Sequence, residues 1–516
     1  MFVFLFSCFV DSDPVGELSF VRGGIVVSNS PKDLSSEAKK IGTSWFIEKN
    51  WEAGKSYKVA DIQGLAPQRS ECKSVYSYKL GDVSQMISLG AGPPNTQISW
   101  SPSGDFLAVG NQGGELFVFD GWSGELLKEK QIADGIVKQV AWSEDEKQIF
   151  VAEQSPKAYV RSLNLNLEEE WSLALSDFVE ESFLPDKSDI YGFYTLPASY
   201  GISVLNDGNI LVAAAHAWRD GDVFKNRSQL LLVSKNGEVK NRYPKMAADT
   251  VFKHPVVNHD QSNVLFSASC SACSDEEQPK NGPADGAVLL DLNSFEVDRH
   301  FSVEPLKPHF NKAHIWQALS VYQDRVLIGY NDGRLLLLNT DGRQDATLSM
   351  GTPILAGDAP IHALVSWGVL NEQGGLFTTS PTYIPYGSAS PELRPPSSHP
   401  RASSLIFVDR SGQEVWSWQE DLNIQGMLYK ENREEILIGS GDRISDYRRD
   451  VYGVYIFDAK QSDKKGSNRL VSRCLTPQPI FFNFDQSSDG RIAVAEHPYL
   501  DEDGILKGEY RLRVFR

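Results

Sequence analysis

The chain has 516 residues, 41% of them apolar and 23% charged, with 41 Gly, 26 Pro, 26 Phe, 18 Tyr and 11 Trp. This composition excludes a disordered or fibrous protein, and the length calls for roughly three domains of about 150 residues unless one repeating architecture uses all of it. A formal charge of −18, with the acidic residues spread along the chain, argues against a phosphate-neutralising surface and so against nucleic acid as a partner.

Residues 1–13 begin MFVFLFSCFV, an apolar run followed by Asp11 and Asp13. Neither this run nor any other reaches the ~20 apolar residues of a spanning helix, so no membrane-spanning segment is expected. Leu5-Phe6-Ser7-Cys8 resembles a bacterial lipobox, which implies Cys8 as a lipidation site, a signal remnant and an extracytoplasmic location, periplasmic or lipid-anchored. Phe6 and the lack of a preceding Lys or Arg depart from that pattern. The alternative is an apolar tail packed on a cytoplasmic domain. Residues 14–73 hold strand-like runs at Phe20 to Ser28, Ser44 to Lys49 and Ser56 to Ile62, and read as an extension packed on the remainder of the chain.

If Cys8 carries lipid, Cys72, Cys270, Cys273 and Cys474 form an even remainder that suits disulfides in an oxidising compartment. Cys270-Ser-Ala-Cys273 is a CxxC without a second CxxC or a following His. A zinc ribbon and a c-type haem attachment are therefore unwritten, and a Cys270–Cys273 loop disulfide is the expectation.

From residue 98 the chain is repetitive. ISWSPSGDFLAVGNQGGELFVFD, Ile98 to Asp120, is strand, turn, strand, Gly-Gly turn, strand, and it recurs from Val140 to Leu163 with Trp142 42 residues after Trp100. Third strands end in an acidic or amide residue or Ser at Asp120, Asn164, Ser234, Asp291, Asn339, Asp409 and Asp458, and a last one closes the chain at Val514-Phe515-Arg516. Gly124, Gly237, Gly342 and Gly412 come next at the offset of a tight hairpin, and Leu126 to Ile132, Val239 to Tyr243 and Val415 to Trp418 fill the fourth-strand slot. A period near 40 to 45 residues with three or four strands is that of a propeller blade.

The Trp-Ser-Pro-Ser-Gly-Asp-Phe-Leu-Ala-Val-Gly run resembles a WD40-type blade, and Asp409-Arg-Ser-Gly412-Gln-Glu-Val-Trp416 resembles the repeat of quinoprotein-like propellers that bind pyrroloquinoline quinone (PQQ). No Gly-His or Trp-Asp dipeptide of true WD40 repeats is present in the repeats, so the resemblance implies fold rather than activity. The expected architecture over residues 74–516 is an all-β propeller of eight four-stranded blades, with a seven-blade partition as the alternative. Because the chain ends on a third strand, Ser74 to Leu80 is expected to supply the missing outer strand and close the ring.

Excess length collects between second and third strands, at His216 to Arg227, Cys270 to Asp285, Thr379 to Ser403, Asp442 to Tyr452 and His497 to Tyr510. In a propeller these connections share one face, and loops on a rigid frame carry binding. The same face should receive His216, Trp218, Arg219, His254, His314, Trp316, His362, Arg443, Tyr447 and His497, the expected ligand or partner site. No hydrolase elbow, zincin motif or Walker loop is written, so catalytic residues are unassigned. The resulting expectation is a non-catalytic scaffold that presents this face to a protein or peptide and needs no cofactor. The alternative is a quinoprotein-like enzyme holding PQQ or a divalent metal at the mouth with some of the five histidines.

Overall fold

The computed structural model describes residues 21–22, 42–43, 71–81 and 97–516, the last without several internal segments, chiefly 183–195, 271–278, 381–398, 442–450 and 461–468. The 1–13 run with Cys8, and nearly all of the 14–73 extension, lie outside the described residues.

The fold is all-β, built from antiparallel four-strand meanders that succeed one another along the chain, the second and third being joined into one eight-stranded sheet, as are the fifth and sixth. The first comprises Ile98–Trp100, Phe106–Gly110, Glu115–Asp120 and Leu126–Gln131, and the second Ile136–Trp142, Gln148–Gln154, Tyr159–Asn164 and Glu169–Ala174. The third is Ala198–Val204, Ile210–Asp220, Val223–Val233 and Val239–Ala248, and the fourth Val251–Val257, Asn263–Ser269, Gly286–Asp291 and Glu296–Phe301. Ile315–Tyr322, Arg325–Tyr330, Arg334–Asn339 and Gln344–Ser349 make the fifth, and Val365–Leu370, Gly374–Thr379, Ser404–Asp409 and Glu414–Gln419 the sixth. The seventh is Asn423–Lys430, Glu435–Gly441, Gly453–Asp458 and Leu470–Leu475. Phe484–Gln486, Ile492–Glu496 and Tyr510–Phe515 make the last, and Ser74–Gly81 is its outer strand, antiparallel to Tyr510–Phe515 as strand counting requires.

The first strands of the first to seventh sheets lie side by side in order, and that of the eighth lies against that of the first. Second and third strands are buried nearly throughout because neighbouring sheets cover both faces, whereas outer strands such as Leu126–Gln131 are exposed. That gradient explains why the third strands read as continuous apolar runs and the outer ones as charged.

The residues that end several of the third strands have a common job. Asp120 Oδ1 accepts the Trp122 and Ser123 N–H groups, Asn164 Oδ1 those of Asn166 and Glu168, Ser234 Oγ those of Asn236 and Glu238, and Asp409 Oδ1 those of Ser411 and Gln413. The side chain thus caps the turn that its own strand enters. Gly124, Gly237, Gly342 and Gly412 all have φ between +75° and +87°, which L side chains rarely adopt, so glycine at this offset is a conformational requirement.

One expected loop takes another form. His216 to Arg227 continues the ladder, with pairing running unbroken from Ile210↔Val233 to Asp220↔Val223, so the insertion is a long hairpin rather than an irregular loop.

Two polar groups fasten the chain ends. Gln97 N donates to Asn483 Oδ1 (3.2 Å), Asn483 Nδ2 to Gln97 Oε1 (3.1 Å) and Tyr510 Oη to the same Gln97 oxygen (2.7 Å), all buried. Arg491, 2% exposed, lies 3.8 Å from the Trp122 ring centroid and 4.8 Å from that of Trp100. Its guanidinium donates to the Gly121 and Gly104 carbonyls of the first sheet and to Asp489. Outside these, Cys72 and Cys474 form a disulfide with Cα atoms 4.9 Å apart, tying the segment before the N-terminal strand to the seventh sheet across 402 residues.

Arg491→Met should lower stability by about 2–4 kcal/mol, since it leaves the buried Gly104 carbonyl without a donor among the described residues, leaves the Gly121 carbonyl with the Tyr76 hydroxyl at 3.4 Å, and removes the cation between two indoles. The change is read as a drop in thermal midpoint. An unchanged midpoint would show that the first and eighth sheets are held together by other contacts.

Candidate functional site

The pairing fixes which loops share a face. First strands start where second strands end (Ile98↔Val109, Val251↔Ser269, Asn423↔Gly441), so the long connections after second strands and after outer strands emerge together. The opposite face carries tight turns such as 205–209 and 340–343. The strand ends that flank the five sequence-predicted insertions therefore lie on one face.

Sequence periodicity gave no sign of a feature the first strands share. Their ladders break at Val137/Gln139, Ser199/Ile202, Lys253/Val256, Ile315/Leu319, Val365/Trp367 and Ile424/Met427 in the second to seventh sheets. A bulge takes a residue out of the ladder and re-aims it. The released residues include Lys138, Tyr200 and His254, the last with φ +54°. Adjacent bulges nest: a Cβ on Gly201 would meet Pro255 Cδ at 2.2 Å, so glycine is needed for this approach.

These strands assemble a basic inner arc. Lys138, 4% exposed, sits with Nζ 4.0 Å from the Tyr200 ring centroid and 3.5 Å from Gln154 Oε1. Burial, reinforced by the Lys253 charge, pushes the Lys138 ammonium down to about 7. Burial lowers Lys253 to about 8, with Asp285 partly opposing it. His254 is held near 3 by burial and by the Lys253 and Lys138 charges, and His314 near 3 by burial and by Lys253 and Lys312. Both imidazoles are thus neutral at physiological pH. His314 Nδ1 lies 3.3 Å from Ser269 Oγ. Asp285 flanks the arc, where it accepts the Cys270 N–H while Lys312 donates to the Cys270 carbonyl.

Of the residues expected at this face, His254 and His314 share the field of Lys253. The other three histidines have partners of their own. His216 is buried, with Nδ1 3.0 Å from the Val179 carbonyl and its ring stacked 4.4 Å from that of Trp218. His362 Nδ1 lies 3.1 Å from the Gly351 carbonyl. His497 is fully buried, with Nε2 3.2 Å from Asn483 Nδ2 and its ring 4.8 Å from Tyr510, beside the seam joining the first and eighth sheets. Trp316 lies half-buried within the bulged stretch of its strand. The Arg219 side chain, Arg443, Tyr447 and Cys273 lie outside the described residues, while Cys270 is buried and disulfide-bonded. Among the described residues no three His, Cys, Asp or Glu side chains are grouped to hold a metal ion, and the five histidines do not present one ligand set.

Sequence reasoning passed over Lys138, Tyr200 and Lys253. In Ile136–Trp142 a lysine between Val137 and Gln139 reads as one polar position of an alternating strand, and only the register break sets it apart. Also unforeseen is a cavity of about 610 Å³ between the fifth and sixth sheets, floored by Phe377, Ile406 and Val408 with His399, Arg401 and Glu414 among its polar lining.

No protein-family profile matches the sequence, and no curated protein gives a significant match. Solved structures do. The chain is similar to BamB from Moraxella catarrhalis, with 13% identity, a TM-score of 0.50, and 86% of this chain and 99% of that one covered. It is also similar to the Dos1 propeller, at 9% identity and a TM-score of 0.51, over 86% of this chain and 95% of that one. The fold is accordingly that of the β-propellers.

A lysine whose folded pKa lies below its unfolded value destabilises the fold wherever the unfolded chain is protonated. For Lys138 that penalty is full below about pH 7 and fades toward pH 10.5. Lys138→Met should therefore raise the thermal midpoint by several degrees at pH 6 to 7, on the order of a few kcal/mol, with the gain shrinking at higher pH. A variant destabilised at every pH would show that the lysine is held by a counter-charge.

Proposed function

We propose that this chain is an exported, non-catalytic propeller of eight four-stranded blades, closed by Ser74–Gly81, that docks a protein or peptide on its loop-bearing face. The observation that carries the reading is the one-sidedness of the strand ends that bear the long connections, at Thr379 and Ser404, Gly441 and Gly453, and Glu496 and Tyr510, with short turns on most of the other face. The same face or its rim exposes apolar side chains at Met246 (68%), Leu355 (62%) and Leu306 (37%), which supply contact area to a partner.

The export part of the reading rests on chemistry. The Cys72–Cys474 disulfide suits an oxidising compartment, and Cys8 is the proposed lipid-bearing residue, with Cys273 the proposed partner of Cys270. In cells whose thiols are alkylated before lysis, Cys72 and Cys474 should react with a maleimide only after reduction. Alkylation without reduction would overturn the oxidising location. A Cys72→Ser/Cys474→Ser double variant should lose about 2–5 kcal/mol of stability.

Docking is tested by photo-crosslinking residues placed singly at Met246, Leu355, Ser294 and Ser411 in the living host. Adducts are expected from Met246 and Leu355, on the loop-bearing face. Adducts only from Ser294 and Ser411, on the turns of the opposite face, would overturn the assignment of the docking face.

A further inference from the structure

Two ammonium groups stand in the inner arc without an ion-pair partner among the described residues. The Lys138 Nζ has Gln154 Oε1 at 3.5 Å and the Tyr200 ring at 4.0 Å, and neither is charged. Lys253 makes no side-chain hydrogen bond or ion pair among the described residues, and the Tyr200 hydroxyl has no hydrogen-bond partner among them. Among the described residues the one carboxylate that bears on Lys253 is Asp285, which is already engaged by the Cys270 N–H and acted on by Lys312. His254 feels both lysines, and the close approach of Gly201 to Pro255 sets its bulge against that of Tyr200. A chain with a net charge of −18 thus concentrates uncompensated positive charge in its interior.

Buried charge without a partner is costly, and a set of donors aimed at one space is what an oxyanion site requires. We propose that the bulged first strands of the second to fourth sheets form a binding site for a small oxyanion, a carboxylate or phosphate group, held between the Lys138 and Lys253 ammonium groups with the Tyr200 hydroxyl and the His254 imidazole as neutral partners. The ligand is small because Lys138 and Tyr200 are only 4% and 6% exposed. The bulges are the device: each inserts one residue out of register, and three in a row bring their side chains onto one curved wall. This inference is independent of the docking proposal, since it uses none of the exposed loop residues.

Anion binding should restore protons to the two lysines, so it takes up protons near pH 8 and weakens as pH rises. The groups facing the pair are Asp285, Lys312, His254 and His314, and of these only Asp285 carries the opposing charge. The test is isothermal titration of the full chain with inorganic phosphate and, separately, succinate, in two buffers of different ionisation enthalpy. Saturable binding to one of them, with a heat that depends on the buffer and an affinity falling about tenfold between pH 6.5 and pH 9, is expected, and the anion that saturates names the class. Lys138→Met and Lys253→Gln should each weaken binding at least tenfold while the melting temperature holds or rises, and Lys240→Gln, on an exposed outer strand, should change nothing. Absence of saturable heat for both anions, equal heats in the two buffers, or binding retained in the Lys138→Met/Lys253→Gln double variant would overturn the site.

Discussion

Everything in this fold depends on what the first and last sheets do with their exposed flanks. A four-stranded meander buries both faces only if a neighbour stands on each side, and in a chain of such units the two terminal ones have only each other. Here the Gln97, Asn483 and Tyr510 group satisfies amide and hydroxyl groups on both sides of that junction. Arg491 bridges the same junction below, with its charge spread between two indoles and two carbonyls. A polar latch is more selective than an apolar one, because an unpaired amide in a buried seam is penalised and only one register of the two sheets satisfies all partners. The N-terminal strand adds a second constraint. Lys73 and Arg516 exchange backbone hydrogen bonds, the Glu71 N–H donates to the Arg473 carbonyl while its carboxylate accepts the Arg473 N–H, and the Cys72–Cys474 disulfide makes the arrangement covalent.

With the ends held, the inner strands are free to depart from regularity. Ladder breaks in six successive first strands would weaken isolated sheets, but in this assembly each strand is covered by its neighbours. Close approach is secured by small residues at the contacts: Gly201 under Pro255, and Gly329 and Gly368 against Ala318 where the fifth and sixth sheets pair in parallel. The frame tolerates irregular backbone in its interior because its rim is regular.

The features legible in the sequence obey the same division. The third-strand ends could be placed because Asp120, Asn164, Ser234 and Asp409 serve a local function, capping the next turn, and local functions leave local residue choices. Ser74–Gly81 could be placed by counting strands, since a missing outer strand must come from somewhere. The Cys72–Cys474 pairing could not, because its partners are 402 residues apart and nothing in their neighbourhoods marks them. Trp100 and Trp142, the clearest repeat marks, prove to be packing residues, with Trp142 Nε1 donating to the Ser99 carbonyl of the neighbouring sheet. Strand order assigns the histidines to a face, yet order along a strand does not tell which neighbour a ring will meet. His497 meets Asn483 and Tyr510 in the seam, and His254 meets lysines.

The bulges are the least legible feature, and they decide the chemistry of the interior. Val137-Lys138-Gln139 and Lys253-His254-Pro255 look like solvent-facing positions on ordinary strands, and on a regular ladder their polar side chains would alternate away from one another. One inserted residue per strand changes the phase, and polar positions from three sheets come to face a common space. Hydrophobic side chains of similar length would fill that space with less penalty, as the fully buried leucines and valines one strand further out do. Lysines in this position are therefore better explained by something they hold than by the stability of the frame around them.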